Sequence, residues 1–127
     1  MARSVTLARR ELDLMSILWQ LKSGATVAEV RERLDEDLAY PTVLTMLRNL
    51  EIKGYARHEE DGRAFRYFPV LKPNEAGDGA LRRLVSKVYQ GSNELLVSRL
   101  IADDGISSAE LRRIERLLKQ RLKEIDE

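Results

Sequence analysis

At Gly54 the spacing of apolar residues changes, and that change limits the fold more than any other feature of the chain. Before it, leucines and valines recur every three or four residues, as on one face of a helix. After it, residues 55–60 and 63–70 read as two strands around Asp61-Gly62. Asp-Gly between two such runs is a strong hairpin signal, because both residues tolerate positive φ. Pro69 marks the end of the second strand, since proline cannot donate to a sheet ladder.

Three helical stretches precede the hairpin. The first covers about residues 7–21, with Leu14, Ile17, Leu18 and Leu21 as its stripe and Thr6 as its N-cap. Ser23-Gly24 closes it. The second starts at Thr26, where Thr26-Val27-Ala28-Glu29 fits a capping box. Its stripe is Val27, Val30 and Leu34, and it stops near residues 35–37. The third begins near Pro41, a residue suited to a first helical turn. Val43, Met46, Leu47 and Leu50 form its apolar stripe, and Gly54 closes it. Helix, helix, helix, hairpin in this order is the winged helix-turn-helix arrangement.

From Lys72-Pro73-Asn74 onward the pattern is helical only. Its stripes are Leu81, Leu84, Val85 and Val88, then Leu96, Val97, Leu100 and Ile101. Ser107-Ser108-Ala109-Glu110 is a further capping box, followed by Leu111, Ile114, Leu117, Leu118, Leu122 and Ile125. The expected fold is therefore mainly α with a small β-hairpin. A winged-helix domain occupies residues 1–72 and a helical dimerisation region residues 73–127. So few helices cannot bury this much apolar surface alone, and symmetric self-association is the common solution. The alternative is that they fold back on the winged helix.

On a helix at about 100° per residue, Pro41, Thr45, Arg48 and Ile52 lie opposite the apolar stripe, flanked by Thr42 and Asn49. Arginine can grip guanine with two bonds, asparagine can do so with adenine, and threonine offers a hydroxyl and a methyl. Thr42 lies near the helix N-terminus, where backbone N–H groups and the helix dipole favour phosphate. The candidate DNA contacts are Tyr40, Thr42, Thr45, Arg48 and Asn49, with Arg63 and Arg66 from the hairpin. The alternatives are an ordinary solvated helix face and an edge strand whose charges deter aggregation. Ile52 has no DNA role in this scheme.

Composition removes other classes. With no cysteine and one histidine, thiolate zinc sites, disulfides and two-histidine relays are excluded. His58 reads as a surface or edge residue. No paired carboxylates, activated nucleophile or phosphate loop stands out, so an enzyme, a cofactor and a metal site are not expected. No apolar run spans a bilayer and Met1-Ala2-Arg3-Ser4 does not resemble a leader, so a cytoplasmic location is expected. The net charge of +1 is low for a DNA binder, so charge placement must carry that case.

The chain resembles the BlaI/MecI family of bacterial antibiotic-responsive (penicillinase) repressors. The resemblance lies in Glu11 to Trp19, Thr26-Val27-Ala28-Glu29-Val30, Ala39-Tyr40, Thr42-Val43-Leu44-Thr45, Leu50 to Gly54, and Asp61-Gly62-Arg63-Ala64-Phe65 with Tyr67. Farther on, Ser107 to Glu110 and the helix after it match as well. It implies a homodimer on a palindromic double-stranded operator, with Thr42, Thr45 and Asn49 at DNA-contacting positions. Many members have threonine where this chain has Pro41. It also implies relief of repression when a membrane sensor protease triggers cleavage, aligned here with the Arg99–Leu100 bond. Relatives known for cleavage carry Asn-Phe there. The copper-responsive branch uses C-terminal cysteine pairs, which this chain lacks. Beta-lactam-response or related genes would be the targets. Rival readings on the same scaffold are a ligand-sensing regulator and a protein-interaction adaptor.

Overall fold

A computed structural model describes residues 5–127. The reading of residues 1–4 as carrying no leader lies outside the described residues. The elements are α1 (Arg9–Gln20), β1 (Ala25–Thr26), α2 (Val27–Arg33), α3 (Tyr40–Ile52), β2 (Ala56–Asp61), β3 (Ala64–Pro69), α4 (Pro73–Lys87), α5 (Asn93–Ile101) and α6 (Ser108–Asp126). The expected order of helices and hairpin is present. One strand, β1, was not expected. It pairs antiparallel with β3, giving the sheet order β1-β3-β2. Ala25 lies opposite Tyr67 and Thr26 opposite Arg66.

Each apolar stripe of the first three helices supplies the core. Leu14, Met15 and Leu18 of α1, Val27 and Val30 of α2, and Val43, Leu47 and Leu50 of α3 are all buried with Tyr67 and Leu71. Leu21, Leu34 and Met46 sit at the rim of that core, only partly covered. Trp19 Nε1 donates to the Leu71 carbonyl at 2.8 Å, tying α1 to the segment that leaves the hairpin. The backbone N–H groups of Val70 and Leu71 both donate to the Tyr55 carbonyl, at 2.9 and 3.0 Å.

Several boundaries differ from the sequence expectation, each for a local reason. The cap of α1 is Ala8, not Thr6, and the Glu11 carboxylate accepts from the Ala8 N–H at 3.0 Å in place of a hydroxyl cap. Thr26 does cap α2, accepting from the Glu29 N–H at 3.2 Å while its hydroxyl donates to Glu29 Oε1 at 3.1 Å. Helix α2 stops at Arg33, because Asp35, Glu36 and Asp37 would set negative charge against a helix C-terminus. The hairpin turn is shifted by one position. Asp61 pairs with Ala64, so Gly62-Arg63 is the loop, and of these Gly62 alone has positive φ, at 65°. Glycine first in a two-residue loop is the II′ pattern, rather than a turn centred on Asp61-Gly62.

Gly24 is the tightest point of the fold. Its φ is +80°, and a Cβ there would lie 2.6 Å from Phe68 Cε1 and 2.9 Å from Arg66 Cγ. Gly54 has a similar φ of +81° but open space around it. Across the helices, Lys53 Nζ reaches Glu11 Oε2 at 2.6 Å. Burial pushes the Glu11 carboxyl up, but the Lys53 hydrogen bond, the Ala8 N–H and the Lys53 charge outweigh it and hold it below the usual value. The Glu11 bond correspondingly holds the Lys53 ammonium above its usual value.

The chain divides into a compact unit ending at Leu81 and a second, Arg82–Glu127. The first takes in the start of α4, where Ala76 is buried, and so runs past the boundary expected at residues 72 and 73. Within the second unit, Ser92 accepts from the Leu95 N–H and Ser107 from the Glu110 N–H, each at 3.1 Å. These caps start α5 and α6, yet neither helix has a buried residue.

Gly24→Ala should destabilise more than Gly54→Ala. Both incur roughly 1–2 kcal/mol for left-handed backbone, and only the first adds overlap with Phe68. Urea midpoints of the two variants measure the difference. A second expectation concerns pH. Because the folded-state pKa of Glu11 is lowered, its stabilisation is present above the usual carboxylate pKa of about 4.3 and is lost as pH falls through the folded value. The parent's urea midpoint should therefore drop more steeply with acid than that of Glu11→Gln.

Candidate nucleic-acid interface

Burial of Val43, Leu47 and Leu50 turns the other side of α3 to solvent. Tyr40, Pro41, Thr42, Thr45, Arg48 and Asn49 are all exposed on it. The sequence expectation for these positions as an outward face thus matches the geometry. Ile52 is also outward, 82% exposed, and no contact in the structure explains it.

The polar groups of this face differ in freedom. The Thr45 hydroxyl donates to the Pro41 carbonyl at 2.9 Å, so its oxygen presents lone pairs outward and its methyl stays available. Arg48 acts on the hydroxyl of Tyr67, a β3 residue 1% exposed, pulling its pKa down. Among the described residues Arg48 has no carboxylate partner. The N-terminus of α3 is less suited to phosphate than expected. Pro41 has no N–H, and the Thr42 N–H donates to the Ala39 carbonyl at 3.0 Å. The Thr42 hydroxyl is then the group that end of the helix offers.

The hairpin arginines fall into distinct classes. Arg63 lies in the exposed turn and has no ion pair or hydrogen bond among the described residues. Arg66, expected to face DNA, has its guanidinium turned inward. It donates to the Gly24 carbonyl at 3.2 Å and to Asp61 Oδ2 at 3.0 Å, with Glu29 Oε1 at 3.4 Å. Arg57 stacks its guanidinium over the Phe68 ring at 4.4 Å and pairs with Glu59 at 2.7 Å.

Nothing in the pattern of residues around His58 points to what it does. Its Nδ1 lies 2.7 and 2.8 Å from the two carboxylate oxygens of Glu51, in the last turns of α3. Its ring packs against Phe65 and Tyr67, with centroids 4.5 and 5.5 Å away. Strand β2 is thereby fastened to the helix whose outward face carries Arg48. Burial, then the nearby Glu51 charge, push the Tyr67 hydroxyl above its usual pKa, with Arg48 pulling the other way. Tyr67 therefore stays protonated at neutral pH. No group of residues suited to a metal ion occurs among the described residues, and no described helix is long and apolar enough to cross a membrane.

A three-helix unit with a paired hairpin and a polar outward third helix is a winged-helix DNA-binding regulator. More specifically, the chain belongs to the penicillinase repressor family, whose model matches residues 7–120. It is a DNA-binding transcriptional repressor of the BlaI/MecI type, not an enzyme. The methicillin resistance regulatory protein MecI of Staphylococcus aureus is 20% identical over 120 residues, covering 94% of this chain and 98% of MecI. The transcriptional regulator BlaI of Mycobacterium tuberculosis is 37% identical over 83 residues, covering 64% of this chain and 60% of that protein. The solution structure of the DNA-binding domain of the repressor BlaI matches with a TM-score of 0.50 at 28% identity, covering 59% of this chain and 93% of that one. A MarR family protein from Bacillus stearothermophilus matches in fold, with a TM-score of 0.50 at 18% identity over 97% of this chain and 78% of that one.

Arg63 and Arg66 should separate cleanly on substitution. Arg66→Ala removes hydrogen bonds that join β3 to the α1–α2 connection, and should lower stability by roughly 1–2 kcal/mol. Arg63→Ala should leave the urea midpoint unchanged.

Proposed function

We propose that this repressor binds a palindromic operator as a homodimer, each protomer setting α3 in a major groove. The observation that carries the reading is the outward face of α3, with Thr42, Thr45, Arg48 and Asn49 exposed above a buried stripe. Tyr40 flanks that face, and Arg63 at the hairpin tip reaches the neighbouring backbone or minor groove. Arg66 acts in this scheme by holding the wing rather than by touching DNA.

Self-association is supported by the second unit. Leu96, Val97, Leu100, Ile101, Leu111, Ile114, Leu117 and Leu118 line helices with no buried side chain, and Leu117 is 69% exposed. Apolar faces of this extent are covered in oligomers of closed symmetry. Dimerisation then spaces the half-sites by one or two helical turns. Repression of beta-lactam-response or related genes follows from occupancy, and weakening the dimer releases it. Proteolysis set off by a membrane sensor protease would act at the Arg99–Leu100 bond. That bond lies within α5, so cleavage needs the helix to open locally.

A nuclease footprint upstream of the chain's own gene tests the reading, and absence of protection at modest salt would sink it. Arg48→Ala should weaken binding by roughly 1–3 kcal/mol and relax preference at one base pair. Leu117→Glu should yield a monomer in sedimentation with helical content retained, and weaken operator binding.

A further inference from the structure

We infer that His58 is a positioning residue for the wing: its bond to Glu51 locks the outer edge of the hairpin to the end of α3, so that Arg63 is delivered to DNA in register with that helix. The inference rests on the reading of Arg63 as a DNA contact given above.

Strand β3 is held from the α1–α2 connection, where Phe68 lies against Gly24 and Arg66 donates to the Gly24 carbonyl at 3.2 Å. Those contacts fix one side of the sheet. Strand β2 is the opposite edge, and it carries the chain into the tip. It follows α3 after a joint of three residues, Lys53, Gly54 and Tyr55. The middle one is glycine, the most permissive residue for backbone conformation.

Among the described residues, the side chains of β2 make one polar link to a helix. Arg57 pairs with Glu59 of its own strand, and Asp61 with Arg66 of β3. His58 Nδ1 crosses to α3, at 2.7 and 2.8 Å from the two Glu51 oxygens. A carboxylate only accepts, so the shared proton is carried by Nδ1. The ring rests on Phe65 and Tyr67, with centroids 4.5 and 5.5 Å away, which sets the direction in which Nδ1 points. The two side chains are 33% and 32% exposed, and pairs so open to water contribute little to stability. What this one supplies is direction. Glu51 lies one turn beyond Arg48 on α3, so a strand pinned there keeps step with the outward face of that helix.

The probe is the footprinted duplex, titrated with the full chain over a range of salt. In the parent, Arg63→Ala should lower the salt slope by about 1. His58→Phe keeps a ring on Phe65 and Tyr67 and removes the bond. It should weaken operator binding by roughly 2- to 10-fold, the cost of ordering a loosened wing, with the urea midpoint close to the parent's. In that background Arg63→Ala should change the slope by roughly half as much or less. Glu51→Gln still offers Nδ1 a carbonyl oxygen and should keep the full Arg63 effect, whereas Glu51→Ala should behave as His58→Phe does. Should His58→Phe not fold, the comparison of Glu51→Gln with Glu51→Ala decides in its place. If Arg63→Ala changes the slope equally in the parent and without the bond, the positioning role is overturned while the wing contact stands. Equal loss of the Arg63 effect in Glu51→Gln and Glu51→Ala overturns it too, because charge rather than the bond is then at work. If Arg63→Ala leaves the parent's slope unchanged, both the contact and the inference fail.

Discussion

Strand β3 is paired along both edges, with β1 on one side and β2 on the other. That double pairing orders everything around it. It sets Tyr67 in the same core as Leu47 and Leu50 of α3. It brings Arg66 to the Gly24 carbonyl and Phe68 against the Gly24 backbone. A hairpin of two strands is marginal in water, and a third strand with a covered face makes it stable. Short as it is, β1 supplies that third strand, and the wing becomes part of the core rather than an appendage.

Much of this was legible in the residues, and what was not shares one cause. Helical spacing located α1 to α3 because a stripe such as Val43, Leu47 and Leu50 repeats within a few turns. The hairpin was legible because a turn needs special residues locally. Strand β1 was not, since a pair of residues carries no period. The turn position slipped by one because Asp61-Gly62 and Gly62-Arg63 are both acceptable, and only the register Asp61 to Ala64 decides between them. Thr6 was a reasonable cap by type, but Glu11 supplied the acceptor from inside the helix.

The same limit governed the outward face of α3. Its outward residues could be read from periodicity, because burying one side of a helix exposes the other. Whether an outward arginine is available could not. Arg63 and Arg66 are near neighbours of the same type, and partners distant in the chain, Gly24 and Glu29, separate their roles. His58 and Glu51 likewise meet only because β2 folds back along α3. Local pattern specifies elements and faces, and long-range pairing decides which polar groups remain for a partner.

The contact of Gly24 with Phe68 has a bearing on how operators are chosen. With no room for a side chain between the α1–α2 connection and β3, the hairpin is braced against the helices at Gly24. In the proposed binding mode, α3 and the hairpin meet the double helix at an angle set by that contact, like two prongs of one casting. In that mode, adjustment needed to seat both falls to the DNA, whose readiness to bend or narrow its groove depends on sequence. Base pairs that no side chain touches are then also under selection, for their flexibility rather than their edges.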